Sequence, residues 1–300
     1  MDVGIILLFD GQPGNTLADA GETARRIESM GFAHLWLPDH IVLFERYAPN
    51  YPYSSDGLPP LGPRQGWYDP LFGLAAAART TTRLRLGTNV LILPQRNPLL
   101  LAKQIVALDH LSAGRVDVGV GLGWSPEEYA ALGVPYEQRG ARADEYIAAM
   151  TRIWKDELAT YEGKFLSFRN VVALPKPVQR PRPPILVGGQ SPRALRRAAR
   201  HGDGWISWML PAEEISPTAG RLEDACAAVG RDPTHLRRIH GFTYTTPEAF
   251  QTYADAARAA GADEIAVLPW VPDRDPGDVI AEIANLSASK GAAMSKRLSA

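Results

Sequence analysis

The segment that decides the fold spans residues 70–121 and reads PLFGLAAAARTTTRLRLGTNVLILPQRNPLLLAKQIVALDHLSAGRVDVGVG. Two of its stretches, Pro70–Thr80 and Pro98–Ser112, begin with proline and are rich in Leu and Ala, which predicts helices with proline in the first turn. Each is followed by an apolar run, Leu84–Leu93 and Arg115–Gly121, that predicts a buried strand. This alternation of helix and strand is typical of a parallel sheet with helical crossovers.

The alternation continues outward to both ends of the chain. Six further strands are predicted by short apolar runs, at Val3–Phe9, His34–Pro38, Ile185–Gly188, Gly204–Ser207, Leu236–Tyr244 and Glu264–Leu268. Six further helices are predicted, near Thr16–Gly31 and at Arg139–Lys155, Pro192–His201, Pro217–Val229, Pro247–Ala260 and Asp275–Asn285. Thr16 and Asp19 have the spacing of a capping box at the first of these helices. Eight strands in alternation with eight helices predict an α/β fold of the (β/α)8 TIM-barrel type.

An open, doubly wound sheet is the alternative architecture. Such sheets usually have fewer strands and a glycine-rich first turn, whereas the first turn here, Asp10-Gly-Gln-Pro-Gly14, lacks the GxGxxG spacing. Two aperiodic inserts, Ile41–Gly66 and Thr160–Pro183, interrupt the alternation, and the second is predicted to hold a small hairpin. We therefore expect a single barrel domain over residues 1–300, with inserted loops of the length that often carries function.

Composition argues against several classes of function. The 32 Lys+Arg against 33 Asp+Glu leave a formal net charge of -1, so the chain lacks the positive field that attracts nucleic acids or anionic membranes. Its apolar runs fall short of the roughly 18 residues of a membrane span. The single cysteine, Cys226, cannot form an internal disulfide or a thiolate metal cluster and suits a reducing compartment. We expect a soluble cytoplasmic protein that binds no metal, nucleic acid or membrane.

The first candidate for chemistry is Asp39-His40, at the carboxyl end of the second strand. Barrel enzymes build their sites at these strand ends. A histidine there can carry a proton near neutral pH, and an adjacent carboxylate can hold the imidazole or accept a hydrogen bond from a cofactor. The alternative is structural, with Asp39 capping the loop and His40 packed as a satisfied polar residue.

Two glycine-rich turns follow other strands. Gly188-Gly189-Gln190-Ser191 leads into a helix, so its flexible backbone and the helical N–H groups suit a phosphate. The alternative is a tight turn with Ser191 as the helix cap. In Gly119–Gly123 (GVGLG) the glycines are expected to leave room for a flat ring system against the strand. Trp124 and Trp208 follow strands and are placed to form pocket walls.

Several stretches together resemble the luciferase-like monooxygenase superfamily, in particular its branch of F420-dependent oxidoreductases from actinobacteria. They are GFAHLWLPDH (31–40), YPYSSDG (51–57), the long stretch from WYDPLFGL to VGVGLGW (67–124), ALGVPYEQRGARADE (131–145) and ILVGGQSPRALRRAARHGDGW (185–205). The resemblance covers residues 1–210 well and the remainder loosely.

The resemblance implies a TIM barrel that holds coenzyme F420, or alternatively FMN, at the carboxyl ends of its strands. Asp39 and His40 match the Asp-His pair beside the deazaflavin in F420 enzymes of this type. Asn89-Val90 matches the dipeptide that in relatives often carries a non-prolyl cis peptide behind the central ring. The cofactor-binding residues implied in this way are Asp39, His40, Asn89, Val90, Trp124, Gly188, Gly189, Gln190 and Ser191.

One departure from the family pattern bears on the substrate. In the F420-dependent sugar-phosphate dehydrogenases of the superfamily a glutamate stands where this chain has Trp124, so a proton donor is missing and sugar-phosphate oxidation is disfavoured. The insert carries Tyr47, Tyr51 and Tyr53, with Trp67 just after it, which suits a lid over a hydrophobic substrate.

We therefore predict an oxidoreductase that transfers hydride between F420 and a hydrophobic or aromatic small molecule, with His40 as the acid/base or as a polariser of the reacting group. The alternatives are an FMN-dependent two-component monooxygenase, fed by a separate flavin reductase, and a flavin-binding protein without turnover. Relatives are commonly homodimers, so the resemblance also implies a homodimer.

Overall fold

The computed structural model describes residues 1–62 and 64–298, with side chains as far as residue 288. Its strands, in chain order β1 to β11, are Asp2–Ile6, His34–Leu37, Arg85–Thr88, Leu91–Ile92, Val116–Gly121, Ala159–Glu162, Ser167–Val171, Ile185–Gly188, Gly204–Trp208, Arg237–Thr243 and Glu264–Leu268. Its α-helices, α1 to α9, are Ala20–Ser29, Pro70–Thr80, Pro98–Leu111, Pro126–Ala131, Arg139–Lys155, Pro192–His201, Ala212–Ala227, Pro247–Ala259 and Pro276–Leu298.

The sheet closes on itself as a parallel barrel. The order of neighbouring strands is β3, β2, β1, β11, β10, β9, β8, β5, and β5 pairs back to β3. The short β4 also pairs with β5 and continues the line of β3, so the two together form the third of eight barrel strands. Helices surround the barrel between consecutive strands. The predicted TIM-barrel fold is confirmed.

The barrel interior is filled by one apolar side chain from each of several strands. Trp36 is fully buried and packs with Ile6, Ile206 and their neighbours in this central cluster. The ring needs space on the adjacent strand, because a Cβ added at Gly87 would lie 2.0 Å from the Trp36 ring. Glycine at position 87 is thus a packing requirement of the barrel core.

The amino end of the barrel is closed by a buried network of charges. His34 Nε2 lies 2.8 Å from Asp117 Oδ2, and His34 Nδ1 lies 2.7 Å from Glu264 Oε2. Arg85 and Arg237 also bind Asp117, at 2.7 and 3.0 Å. Burial alone would lower the pKa of His34, but the charge of Glu264 and the hydrogen bond with Asp117 raise it above its ordinary value. His34 is therefore part of the charged network that closes the amino end of the barrel, at the opposite end from His40.

Most predicted elements lie where the sequence places them, and the exceptions have identifiable causes. The hairpin predicted in the second insert is formed by β6 and β7. Helix α7 begins at Ala212, so the predicted start at Pro217 is wrong: this proline lies inside the helix, where it removes one hydrogen-bond donor without ending the helix. Helix α1 begins at Ala20, because Asp19 accepts hydrogen bonds from Thr16 and closes a turn ahead of the helix.

Helix α4 was missed by the periodicity argument because it is a single short segment of 6 residues after β5. The first insert has no helix or strand among its described residues. Within the described part of the chain, no helix combines the length and apolar character that a membrane crossing requires.

Candidate functional site

The carboxyl ends of the barrel strands bring the predicted site residues to one end of the molecule. Asp39 and His40 follow β2, and Asn89-Val90 lies between β3 and β4. Trp124 follows β5, the turn 188–191 ends β8, and Trp208 ends β9. Because parallel strands of a barrel all end on the same face, these residues surround one mouth.

His40 is held by a glutamate that sequence reasoning did not select. Its Nδ1 lies 2.9 Å from Oε2 of Glu128, a side chain that is 1% exposed. Burial would raise the pKa of Glu128, but the hydrogen bond and charge of His40 and the backbone N–H of Ile41 hold that pKa below its ordinary value. An ionised carboxylate only accepts hydrogen bonds, so His40 carries a proton on Nδ1.

Glu128 also binds the start of the first insert. Its Oε1 accepts hydrogen bonds from the backbone N–H of Ile41 at 2.7 Å and of Val42 at 3.3 Å. The neighbouring Glu127 accepts one from Ala48 N–H at 2.8 Å. The first turn of α4 thus fixes both the histidine and the loop that follows it.

Aromatic rings enclose the histidine. The His40 ring meets Trp67 edge-on at a centroid distance of 4.9 Å, and Trp124 at 5.7 Å. Trp124 in turn contacts Tyr47 at 5.0 Å and Tyr51 at 5.2 Å. Side chains from the first insert therefore pack over the mouth of the barrel beside His40.

The carboxylate of Asp39 faces protein groups. Its oxygens accept hydrogen bonds from Arg96 Nη2 at 2.6 Å, from Arg96 Nε at 3.1 Å and from Ile92 N–H at 3.0 Å. Arg96 also binds Asp69, the cap of α2, at 2.8 Å. In this arrangement Asp39 joins the ends of β2 and β4, and a contact between Asp39 and a cofactor stays a prediction.

The peptide bond between Asn89 and Val90 is cis, as the resemblance implied. The Asn89 Nδ2 atom is buried and has no hydrogen-bond partner among the described residues. The Val90 side chain occupies the space that the strand-end glycines leave, since a Cβ at Gly121 would lie 2.3 Å from Val90 Cγ2. A Cβ at Gly119 would likewise lie 1.9 Å from the carbonyl oxygen of Thr88. The expectation that Gly119–Gly123 leaves open room for a flat ring is therefore wrong.

The turn 188–191 is a capped entry into α6. Gly189 has φ +108°, a conformation that disfavours other residues, and its N–H donates to Ile206 O at 3.0 Å. Ser191 Oγ accepts a hydrogen bond from Ala194 N–H at 3.2 Å, as a helix cap does. The Gln190 side-chain amide donates a hydrogen bond to Trp208 O and accepts one from Trp208 N–H, both at 3.2 Å. Pro192 has no N–H, so the first turn of α6 leaves the N–H of Arg193 without an acceptor within the helix.

Two residues of this site had little or no sequence signal. Glu128 completes Ser125-Pro-Glu-Glu, which has the S-x-x-E form of a capping box. Ser125 does cap α4, but the Glu128 side chain turns instead toward His40. Arg96 follows a short 3-10 turn and carries no recognisable pattern. Only the closed barrel brings either residue to its partner.

Comparisons with known proteins agree with this architecture. The sequence profile described as luciferase-like monooxygenase matches residues 1–296. An uncharacterised protein of Mycobacterium tuberculosis is 36% identical over 286 residues, which cover 94% of this chain and 96% of that protein. In crystal form, the monooxygenase RslO1 from Streptomyces bottropensis superposes with a TM-score of 0.74 at 26% identity, covering 96% of this chain and 98% of that one.

Two relatives with stated activities use different cofactors. The F420-dependent glucose-6-phosphate dehydrogenase of Intrasporangium calvum is 27% identical over 291 residues, covering 86% of this chain and 82% of that protein. The FMNH2-dependent dimethylsulfone monooxygenase of Pseudomonas putida is 34% identical over 137 residues, covering 45% of this chain and 38% of that protein.

The fold and site define a (β/α)8-barrel protein with a polar pair enclosed by aromatic rings at the carboxyl end of the barrel. The chain belongs to the luciferase-like monooxygenase family. Members of this family are oxidoreductases and monooxygenases, and its relatives include both F420-dependent and FMN-dependent enzymes. The unpartnered Asn89 Nδ2 and the N-terminus of α6 fit a ring system with a phosphate tail.

Proposed function

We propose that this protein is an oxidoreductase that transfers hydride between coenzyme F420 and a hydrophobic or aromatic small molecule. The observation that carries the proposal is the His40–Glu128 pair, in which a carboxylate 1% exposed holds a histidine that is 10% exposed at the mouth of the barrel. Such a pair can deliver or remove the proton that accompanies hydride transfer to a carbonyl or from an alcohol.

Each part of the site has a role in this proposal. Gly188, Gly189 and Ser191 would bind the cofactor phosphate at the N-terminus of α6, and Asn89 would hydrogen-bond the ring system. The deazaflavin supplies two-electron hydride chemistry when bound. His40 holds a proton on Nδ1 toward Glu128, so the exchange with substrate falls to Nε2.

The aromatic enclosure supports an apolar substrate. The ring centroids of Tyr51 and Tyr53 lie 5.4 Å apart. Burial raises the pKa of Tyr53 to about 12, so its phenol is neutral at physiological pH. Burial raises the pKa of Tyr51 as well, and this effect exceeds that of its hydrogen bond with Trp208, which lowers the pKa. A wall of neutral rings favours an apolar or aromatic substrate over a sugar phosphate.

The experiment that tests this function is the His40→Ala variant in F420-linked turnover of a panel of aliphatic and aromatic alcohols and ketones. We expect the deazaflavin absorbance to change with the wild-type chain and turnover to fall by at least about 100-fold in the variant, while F420 affinity changes little. Equal turnover in the two chains would remove His40 from the mechanism. Binding of F420 without turnover of any panel member by either chain would favour the non-catalytic binding protein.

The second candidate is an FMN-dependent monooxygenase fed by a separate reductase. The dimethylsulfone monooxygenase of Pseudomonas putida, which uses FMNH2, supports it, because its match to this chain is at 34% identity. This candidate requires that the chain accelerate oxygen consumption by reduced FMN. If reduced FMN is oxidised at the same rate with and without the protein, this candidate fails.

The assembly and location of the protein are also part of the proposal. Phe72 on α2 and Leu100 on α3 are 66% and 60% exposed, and these two helices pack side by side. We propose that this face pairs two copies in a cytoplasmic homodimer. Light scattering should then give twice the chain mass of 32.7 kDa, and a monomer would contradict it.

A further inference from the structure

A cleft of about 400 Å³ opens at the amino end of the barrel, away from His40. The C-terminal half of α5, from Ile147 onward, and the C-terminal turn of α6 form it together with Arg182 in the segment that leads into β8. Helix α6 has 10 residues, so its two ends lie about 15 Å apart at a rise of about 1.5 Å per residue. The cleft is therefore separate from the turn 188–191, and its volume is that of a small-ligand site.

The lining of this cleft is strongly basic. Its charged and titratable side chains are Arg152, Lys155, Asp156, Arg182, Arg200 and His201. Arg152 pairs with Asp156 at 3.3 Å, and Arg182 pairs with Asp203. Within the described part of the chain, Lys155 and Arg200 form no ion pair, so positive charge is left over in the concavity.

The half-buried His201 lies beside this unpaired positive charge. Burial lowers its pKa, and the charges of Arg197 and Arg200 lower it further, against the opposing effect of Asp144. A basic residue near a helix C-terminus is ordinary, because it complements the helix dipole. Here, however, two helices each end in two basic residues and direct them into the same cleft, together with Arg182.

We propose that this cleft binds a small polyanion, a phosphorylated or polycarboxylate molecule with at least two negative charges. Lys155 and Arg200 would supply charge-assisted hydrogen bonds from opposite sides. Bound anion would relieve the repulsion among the cations and raise the pKa of His201. This site does not depend on the function proposed for His40.

The test is calorimetric titration of the full chain with pyrophosphate and, separately, citrate at fixed ionic strength. We expect saturable binding of at least one, weakened about tenfold by Lys155→Gln and by Arg200→Gln, which each remove one charged contact. Preference for pyrophosphate or for citrate assigns the ligand to the phosphorylated or to the polycarboxylate class.

Two variants outside the cleft serve as controls. Arg79→Gln removes an exposed cation from the last turn of α2, outside the cleft, and should leave the affinity unchanged. Gly189→Asp disturbs the turn at the other end of α6 and should also leave it unchanged. Absence of saturable binding, equal weakening by Arg79→Gln, or loss of binding in Gly189→Asp would each overturn the proposal.

Discussion

The carboxylate of Glu128 serves two neighbours at once, the imidazole of His40 and the backbone of Ile41 and Val42. A single buried anion therefore fixes the histidine tautomer and the start of the loop above it. The sequence alone suggested that a proton donor was missing, because Trp124 stands where related dehydrogenases have glutamate. The structure brings a carboxylate to the histidine from four residues further along the chain.

At this scale the first prediction concerns Glu128→Gln. The amide keeps the shape of the side chain and can still accept a hydrogen bond, but it removes the negative charge opposite the His40 imidazole. We expect kcat to fall by about 100-fold, the lower range of general acid–base contributions, with KM changed less than about threefold. Steady-state kinetics over a range of pH check this, because a positioning role changes the shape of the pH–rate profile.

Glu127→Gln is the matched control for that prediction. It removes the adjacent carboxylate on the same helix, which contacts the loop at Ala48 and makes no contact with His40. If the two variants lose activity equally and share the wild-type pH profile, Glu128 acts only by ordering the loop.

Among the secondary-structure elements, β2 and β4 are connected by the side chain of Asp39, which binds Arg96 and the backbone of Ile92. The Asp39 side chain is fully buried and that of Arg96 is 12% exposed. Burial lowers the pKa of Arg96, but the charge and hydrogen bonds of Asp39 raise it above its ordinary value. Breaking one partner of such a pair leaves a buried charge without compensation.

We expect Asp39→Asn to lower the free energy of unfolding by about 3 to 5 kcal/mol, because loss of one partner in a buried ion pair usually has this effect. Urea denaturation, with His40→Ala as the control from the adjacent position, measures it. A loss below about 1 kcal/mol together with a large loss of cofactor affinity would instead assign Asp39 to the cofactor.

The elements themselves could be predicted wherever local signals agreed. Helices α5 and α6 have the predicted bounds because amphipathic spacing in one and Ser191-Pro192 in the other mark them. Pro217 misled the prediction for α7, because this proline lies inside the helix, whereas proline more often marks a helix start. The contacts of Glu128 and Arg96 could not be predicted, because they join segments dozens of residues apart whose meeting depends on barrel closure.

For the whole molecule, two buried histidines make stability depend on pH in opposite directions, because folding lowers the pKa of His240 and raises that of His34. His240 forms a hydrogen bond with Ser207 Oγ at 2.7 Å, and burial, aided by the charge of Arg238, lowers its pKa to about 4. Its neutral form is therefore favoured in the folded state, and stability falls as pH drops from about 6.5 toward 4. His34 has a raised pKa, so its contribution is present at low pH and is lost as pH rises.

The prediction for His240 is isolated by comparing the wild-type chain with His240→Asn. The asparagine does not titrate, so the difference in unfolding free energy between the two chains should grow by about 3 kcal/mol in favour of the wild type between pH 4 and 6.5, at about 1.4 kcal/mol per pH unit. Urea melts across this range measure the difference. A difference independent of pH would show that His240 protonates equally in both states.

A deazaflavin bound at the carboxyl end of this barrel would place its phosphate on the turn 188–191, and fluorescence titration measures that binding. The full chain is titrated with F420 and with FMN, alongside Gly189→Ala and Gly189→Asp. Alanine strains the turn at φ +108°, whereas aspartate adds a carboxylate to the same strain. We expect saturable F420 binding, weakened by Gly189→Ala and abolished by Gly189→Asp. Saturable FMN binding with no response to F420, or unchanged F420 affinity in Gly189→Asp, would contradict it.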